Sequence, residues 1–93
     1  MDTSRQRIDK WLWHARFVRT RTAAAALAES GHVRVNGARI RAASQPVRPG
    51  DVVTLALDRA VRVIRVVAFS ERRGSAAQAA TLYEWVDLDR PTG

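Results

Sequence analysis

Residues 7–37 read RIDKWLWHARFVRTRTAAAALAESGHVRVNG, and this stretch decides the fold. Ile8, Trp11, Leu12, Ala15 and Val18 recur at helical spacing and share one face, so a first helix is expected there, with Lys10, Trp13, His14 and Phe17 projecting elsewhere. Trp11 belongs to the buried stripe. Trp13 lies off it, where its ring either packs under another element or keeps a free face. A second helix is punctuated at both ends: Thr20 is a good N-cap, Arg21-Thr22-Ala23 make the first turn, Ala24, Leu27 and Ala28 the buried stripe, and Gly31 the left-handed stop. After Gly31 the period becomes two. Val33 and Val35 alternate with His32, Arg34 and Asn36, and Asn36-Gly37 marks a tight hairpin into residues 38–41.

Outward from this stretch, Pro46 and Pro49-Gly50-Asp51 punctuate a loop, residues 52–57 read as a third strand and residues 61–69 as a fourth. Arg62 and Arg65 have opposite parity in that fourth strand, which calls for a bulge near Ile64 or for burial of both faces. Ser75 and Gln78 form a capping box for a short helix through Ala80, and residues 81–86 suit a last strand. The reading is α+β, in a single domain over residues 7–86 with flexible termini at 1–6 and 87–93.

At 93 residues and 46% hydrophobic content, the chain can bury one core but has little room for a deep active-site cavity. Sixteen Lys+Arg against nine Asp+Glu give a net charge of +7. Residues 1–50 carry ten basic and three acidic side chains, whereas residues 51–93 carry six of each, so the whole excess lies in the first half. That segregation favours a face for a polyanion over an interspersed, solubilising surface. Only Lys10 among the cations is a lysine; arginine suits phosphate forks and stacking on bases, and a GC-rich codon bias would give the same excess. The absence of cysteine excludes disulfides, cysteine-ligated zinc and thiol catalysis. His14 and His32 have no carboxylates at useful spacing and are expected to be ordinary surface or turn residues, not a metal or acid–base pair. The N-terminal MDTSRQRIDK has no apolar core, and no apolar run reaches membrane-spanning length, so a cytoplasmic protein with no membrane partner is expected.

Arg7-Ile8-Asp9-Lys10-Trp11-Leu12-Trp13, Arg16, Thr20-Arg21 with Ala24 and Leu27, the run from Gly31 to Gly37, and Pro49-Gly50-Asp51-Val52 together resemble the alpha-L, or S-four, RNA-binding domain over residues 7–55. The DKWLW opening, Glu71-Arg72-Arg73, Ser75-Ala76, Ala79-Ala80 and Leu82-Tyr83-Glu84 are similar to the small ribosome-associated heat-shock proteins of bacteria, extending the resemblance to residue 84. The resemblance implies two N-terminal helices packed on a small, mostly antiparallel sheet, plus the short C-terminal helix. It also implies a monomeric, non-enzymatic protein that binds ribosomal RNA along the helical face and adjoining hairpin, with no cofactor, metal or small-molecule substrate. The partner implied is the free large ribosomal subunit carrying a stalled nascent chain as peptidyl-tRNA. The role is recycling or rescue or, alternatively, quality control that aids nascent-chain extension. Proteins of this kind often carry a further basic C-terminal extension, so any ribosome contact made by one is not carried over to a sequence read to Gly93.

By the motif match, Arg7, Lys10, Arg16, Thr20 and Arg21 are the expected RNA contacts, with Arg19 and Arg34 as neighbours. They would supply forked donors along phosphates or grooves of structured RNA. The N-terminus of the second helix adds free N–H groups and the positive end of a dipole within the Arg16, Arg19, Arg21 cluster. Each arginine could instead be solvated or paired internally, and Arg7 has Asp9 within reach. Asp9 is expected to orient an arginine or bond backbone, because no partner marks it as a base. Two other functions are weaker. A pseudouridine synthase would need a large catalytic domain after this one, and no nucleophile, base and oxyanion set is evident. A helix-turn-helix DNA regulator conflicts with the strand-rich second half.

Overall fold

The computed structural model of the protein describes residues 4–57 and 60–86. Its first helix, α1 (Ile8–His14), is preceded by a short strand, β1 (Gln6–Arg7). The second, α2 (Arg21–Glu29), begins as its sequence requires: the Thr20 hydroxyl accepts a hydrogen bond from the Ala23 N–H at 3.0 Å. A cap of this kind is worth about 1 kcal/mol. Beyond Ser30, Gly31 takes φ 84°, the left-handed conformation that ends the helix.

The hairpin follows. Strands β2 (Val33–Val35) and β3 (Ala38–Arg39) are joined by Asn36 at φ 51° and Gly37 at φ 86°, both positive as a type I′ turn demands. The Asn36 amide also ties the turn to the next strand: Nδ2 donates to Asp51 Oδ1 at 3.1 Å and Oδ1 accepts from the Val52 N–H at 2.9 Å. Strands β5 (Val52–Leu57), β6 (Ala60–Val66) and β7 (Tyr83–Trp85) complete an antiparallel five-stranded sheet in the order β3-β2-β5-β6-β7. The short helix α3 (Ala76–Ala79) carries the expected capping box between Ser75 and Gln78.

Both helices lie on one face of the sheet. Ile8, Trp11, Leu12, Ala24 and Ala28 form a single buried cluster with Val33, Val53, Leu55, Ile64 and Val66. Trp11 is fully buried and its indole N–H donates to the Ala68 carbonyl at 3.1 Å, so the ring is both packed and satisfied. Emptying such a site costs about 3–5 kcal/mol.

Several expectations are corrected. The first helix does not run on to Val18: Ala15 caps it, Arg16 adopts φ 64°, and the Phe17 N–H turns back to the Leu12 carbonyl at 3.1 Å. Ala15 and Val18 still reach the core, from a connection and not from a helix, and Phe17, expected to project elsewhere, packs against it as well. The fourth strand stops at Val66, because the N–H groups of Val67 and Ala68 both turn to the Leu82 carbonyl. It has no bulge. The β5–β6 register is continuous from Val52↔Arg65 to Leu57↔Ala60, and Val63 and Ile64 are buried on opposite faces, which accounts for the broken parity. Within the expected loop, β4 (Pro46–Val47) pairs with β1. Of the expected flexible termini, 1–3 and 87–93 lie outside the described residues, and β1 begins at Gln6.

Candidate nucleic-acid interface

Asp9 organises the basic cluster. It sits in the first turn of α1 and is only 3% exposed, so its carboxylate must find donors within the protein. Oδ1 accepts from the Lys10 N–H at 2.7 Å and from Arg7 Nε at 3.1 Å, and Oδ2 accepts from Arg7 Nη2 at 3.0 Å. Arg21 Nε lies 3.7 Å from the same Oδ2. One buried carboxylate therefore holds two guanidinium groups whose side chains remain 50% and 44% exposed. Hydrogen bonding to Asp9, followed by its charge, raises the Arg7 pKa above its already high ordinary value. Arg7 is a permanent cation with one edge fixed and the other facing solvent.

Arg21 is also the first residue of α2. The first N–H groups of a helix have no intrahelical acceptor, and Thr20 satisfies only that of Ala23. Arg7, Lys10, Thr20 and Arg21 are thus brought together around Asp9 and the positive end of α2. Arg19 is exposed on the connection before it. Arg16 is exposed too but directed elsewhere: its Nε donates to the Gly74 carbonyl at 2.9 Å. Arg34 stands apart, because Val33 turns to the core and Arg34 alternates to the sheet face away from the helices, opposite Arg39.

His14 is a further correction. It is 1% exposed, not a surface residue, and its Nδ1 lies 3.0 Å from the Ser70 carbonyl. A carbonyl only accepts, so Nδ1 carries the proton. Burial pushes the His14 pKa below the ordinary 6.5; the Ser70 hydrogen bond opposes that, and the charges of Lys10, Arg21 and Arg73 reinforce it. His32 remains exposed, its Nδ1 2.6 Å from the Ser30 hydroxyl. Among the described residues no group of His, Cys, Asp and Glu is placed to hold a metal ion, and no helix is long and apolar enough to cross a membrane.

Sequence reasoning missed Arg73. Its Nε donates to the Trp13 carbonyl at 3.0 Å, Nη2 donates to the Val18 carbonyl at 3.3 Å, and the guanidinium lies over the Trp13 ring at 5.8 Å. Trp13 is therefore half-buried under a distant arginine. The Glu71-Arg72-Arg73 run was visible, but nothing local marks which arginine reaches back to α1.

The family model for the S4 domain matches residues 6–53, the segment that carries α1, α2, the hairpin and the Asp9 cluster. The chain belongs to the S4 domain family. Heat shock protein 15 of Escherichia coli is 42% identical over 84% of this chain and 58% of its own length. Small ribosomal subunit protein uS4 of Anaeromyxobacter is 36% identical over 97% of this chain and 41% of its own length. A solved structure of Vibrio cholerae heat shock protein 15, described as trimeric, superposes with a TM-score of 0.81 at 36% identity, over 88% of this chain and 82% of that one. The chain thus spans about three fifths of the length of the heat shock protein 15 relatives it matches.

Proposed function

We propose that this S4-domain chain is a non-enzymatic protein that binds structured ribosomal RNA through Arg7, Lys10, Thr20 and Arg21, with Arg16 and Arg19 on the adjoining connection and Arg34 as an outlying contact. The observation that carries the reading is the buried Asp9 carboxylate, which fixes Arg7 and holds Arg21 close while leaving both half exposed beside the N-terminus of α2. Phosphates would meet forks whose orientation is already set, so little side-chain entropy is lost on binding. No cofactor or small molecule enters this reading. Residues 7–86 act as one domain and the chain as a monomer.

The particle proposed is the free large ribosomal subunit carrying a stalled nascent chain on tRNA, and the role is its recycling or rescue. Both rest on the likeness to heat shock protein 15. Cosedimentation of the tagged chain with separated ribosomal particles tests it: enrichment on free large subunits bearing peptidyl-tRNA is expected. Enrichment on small subunits, or an even distribution over all RNA, would overturn the large-subunit reading.

A further inference from the structure

Trp85, in the edge strand β7, is 55% exposed. The register pairs Ile64 with Trp85 and Val66 with Tyr83, which sets both rings on the sheet face that carries the helices. There the Phe17 ring lies 4.6 Å from Tyr83 and 5.9 Å from Trp85 between centroids, the latter pair nearly perpendicular at 89°. Tyr83 and Trp85 meet at 5.5 Å and 85°. Edge-to-face contacts of this kind fix the orientation of the indole. Above it lies Arg62, its guanidinium 5.6 Å from the ring centroid, within cation–π range.

The position matters as much as the geometry. Phe17 belongs to the connection 15–20, which also bears Arg16 and Arg19. The same connection is held by Arg73, which bonds the Val18 carbonyl while covering Trp13. Two indole–guanidinium pairs therefore flank one basic connection. Within β7 the one acidic residue, Glu84, alternates to the opposite face and pairs with Arg65. Leaving an indole half exposed forfeits apolar burial, and an edge strand needs only a β-branched residue at that place.

We propose that Trp85, together with Arg62, is a stacking platform for an unpaired base, so that a single-stranded RNA segment continues from the Asp9-ordered phosphate contacts across β7. The proposal rests on the RNA-binding reading above and adds the class of RNA. Every base offers a π-face, so an oriented indole accepts any of them, and the neighbouring guanidinium supplies positive charge without demanding a sequence. Charge complementarity selects this occupant: the Arg62 guanidinium lies over the ring, and the carboxylate of Glu84 is turned to the opposite face with Arg65.

The test uses the full chain with two probes, a short single-stranded oligoadenylate and a blunt RNA duplex. Trp85→Leu is expected to lower affinity for the single strand about tenfold, as loss of one base–aromatic stack does, with duplex affinity and salt dependence unchanged. Trp85→Phe is expected to retain most of the affinity while losing the RNA-induced quenching of indole emission, because Trp11 is fully buried and Trp13 half-buried, whereas Trp85 is 55% exposed. A folded Trp85→Leu chain that binds the single strand as the parent does would overturn the platform and leave the RNA-binding reading standing. Failure of the parent chain to bind either probe would overturn both. A change in indole emission that depends on protein concentration without RNA, with a faster-sedimenting species lost in Trp85→Leu, would assign the surface to a second copy and also overturn the proposal.

Discussion

Arg7 and Arg21 converge on one buried carboxylate, whereas Arg34 and Arg39 face each other across the β2–β3 ladder, and among the described residues neither of the second pair has an ion pair. The first pair is held by its environment before any partner arrives. The second is a like-charge pair directly opposite across strands, an arrangement that is mildly destabilising by itself; Arg34 Nη1 reaches the Gly37 carbonyl at 3.4 Å, with no carboxylate among the described residues to order either guanidinium. Two pairs of arginines therefore differ in what binding costs them. The ordered pair loses little freedom when it meets phosphate, and the hairpin pair, with no carboxylate to fix it, loses more.

Removing the organiser breaks the comparison most directly. Asp9→Ala leaves the Lys10 N–H and the Arg7 guanidinium without their acceptor and Arg21 without its counter-ion, so stability should fall by about 1–3 kcal/mol, the cost of deleting a buried, charge-assisted hydrogen-bond partner. Equilibrium urea unfolding reads that loss. Affinity for structured RNA should fall with it although the net charge rises, which a purely electrostatic surface would not do. The hairpin pair should respond less: Arg34→Ala or Arg39→Ala is expected to cost under about 1 kcal/mol of affinity, roughly uniformly across RNA sequences, and to reduce the salt slope by about one. Filter binding over a salt series checks both. A loss larger than that of Arg21→Ala would reverse the ranking.

A smaller effect sharpens the account through His14. Its folded pKa lies below the ordinary 6.5, so the unfolded chain binds the proton more readily and stability rises with pH across that window. The contribution is fully present above about pH 6.5 and is lost as pH falls through the lower folded value. Because the charges of Lys10 and Arg21 help to depress it, Arg21→Ala should move the His14 titration back toward 6.5, which NMR of the imidazole protons would follow. An unmoved titration would separate His14 from the basic cluster.

How far the sequence could be read divides by range. The α2 cap at Thr20, the stop at Gly31 and the Asn36-Gly37 turn are local backbone requirements, and each is found where its residues ask for it. The Arg7–Asp9 pair was legible for the same reason, being two residues apart. The end of α1 was not, because neither glycine nor proline marks it; Arg16 takes a left-handed conformation and its side chain is held by Gly74, 58 residues on. The burial of His14 depends on Ser70, and the cover over Trp13 depends on Arg73. Two-residue strands such as β1 and β4 are too short for periodicity to register. The separation of Arg34 from the other cations is a matter of strand parity, and the alternation is legible, but the direction of the helices from the sheet is a tertiary fact: Val33 and Val35 face them and Arg34 does not.

The central claim is that phosphate is held at the Asp9-ordered cluster, and the salt dependence of RNA affinity in an Arg7→Ala/Arg21→Ala double variant tests it most directly. With about four to six phosphate contacts in the parent chain, the log–log slope should be near −3 to −5. The double variant should lose about two units of that slope and on the order of 2–4 kcal/mol of affinity, while its circular dichroism stays native. A folded double variant with the parent's slope and affinity would contradict the account and move the RNA away from this cluster.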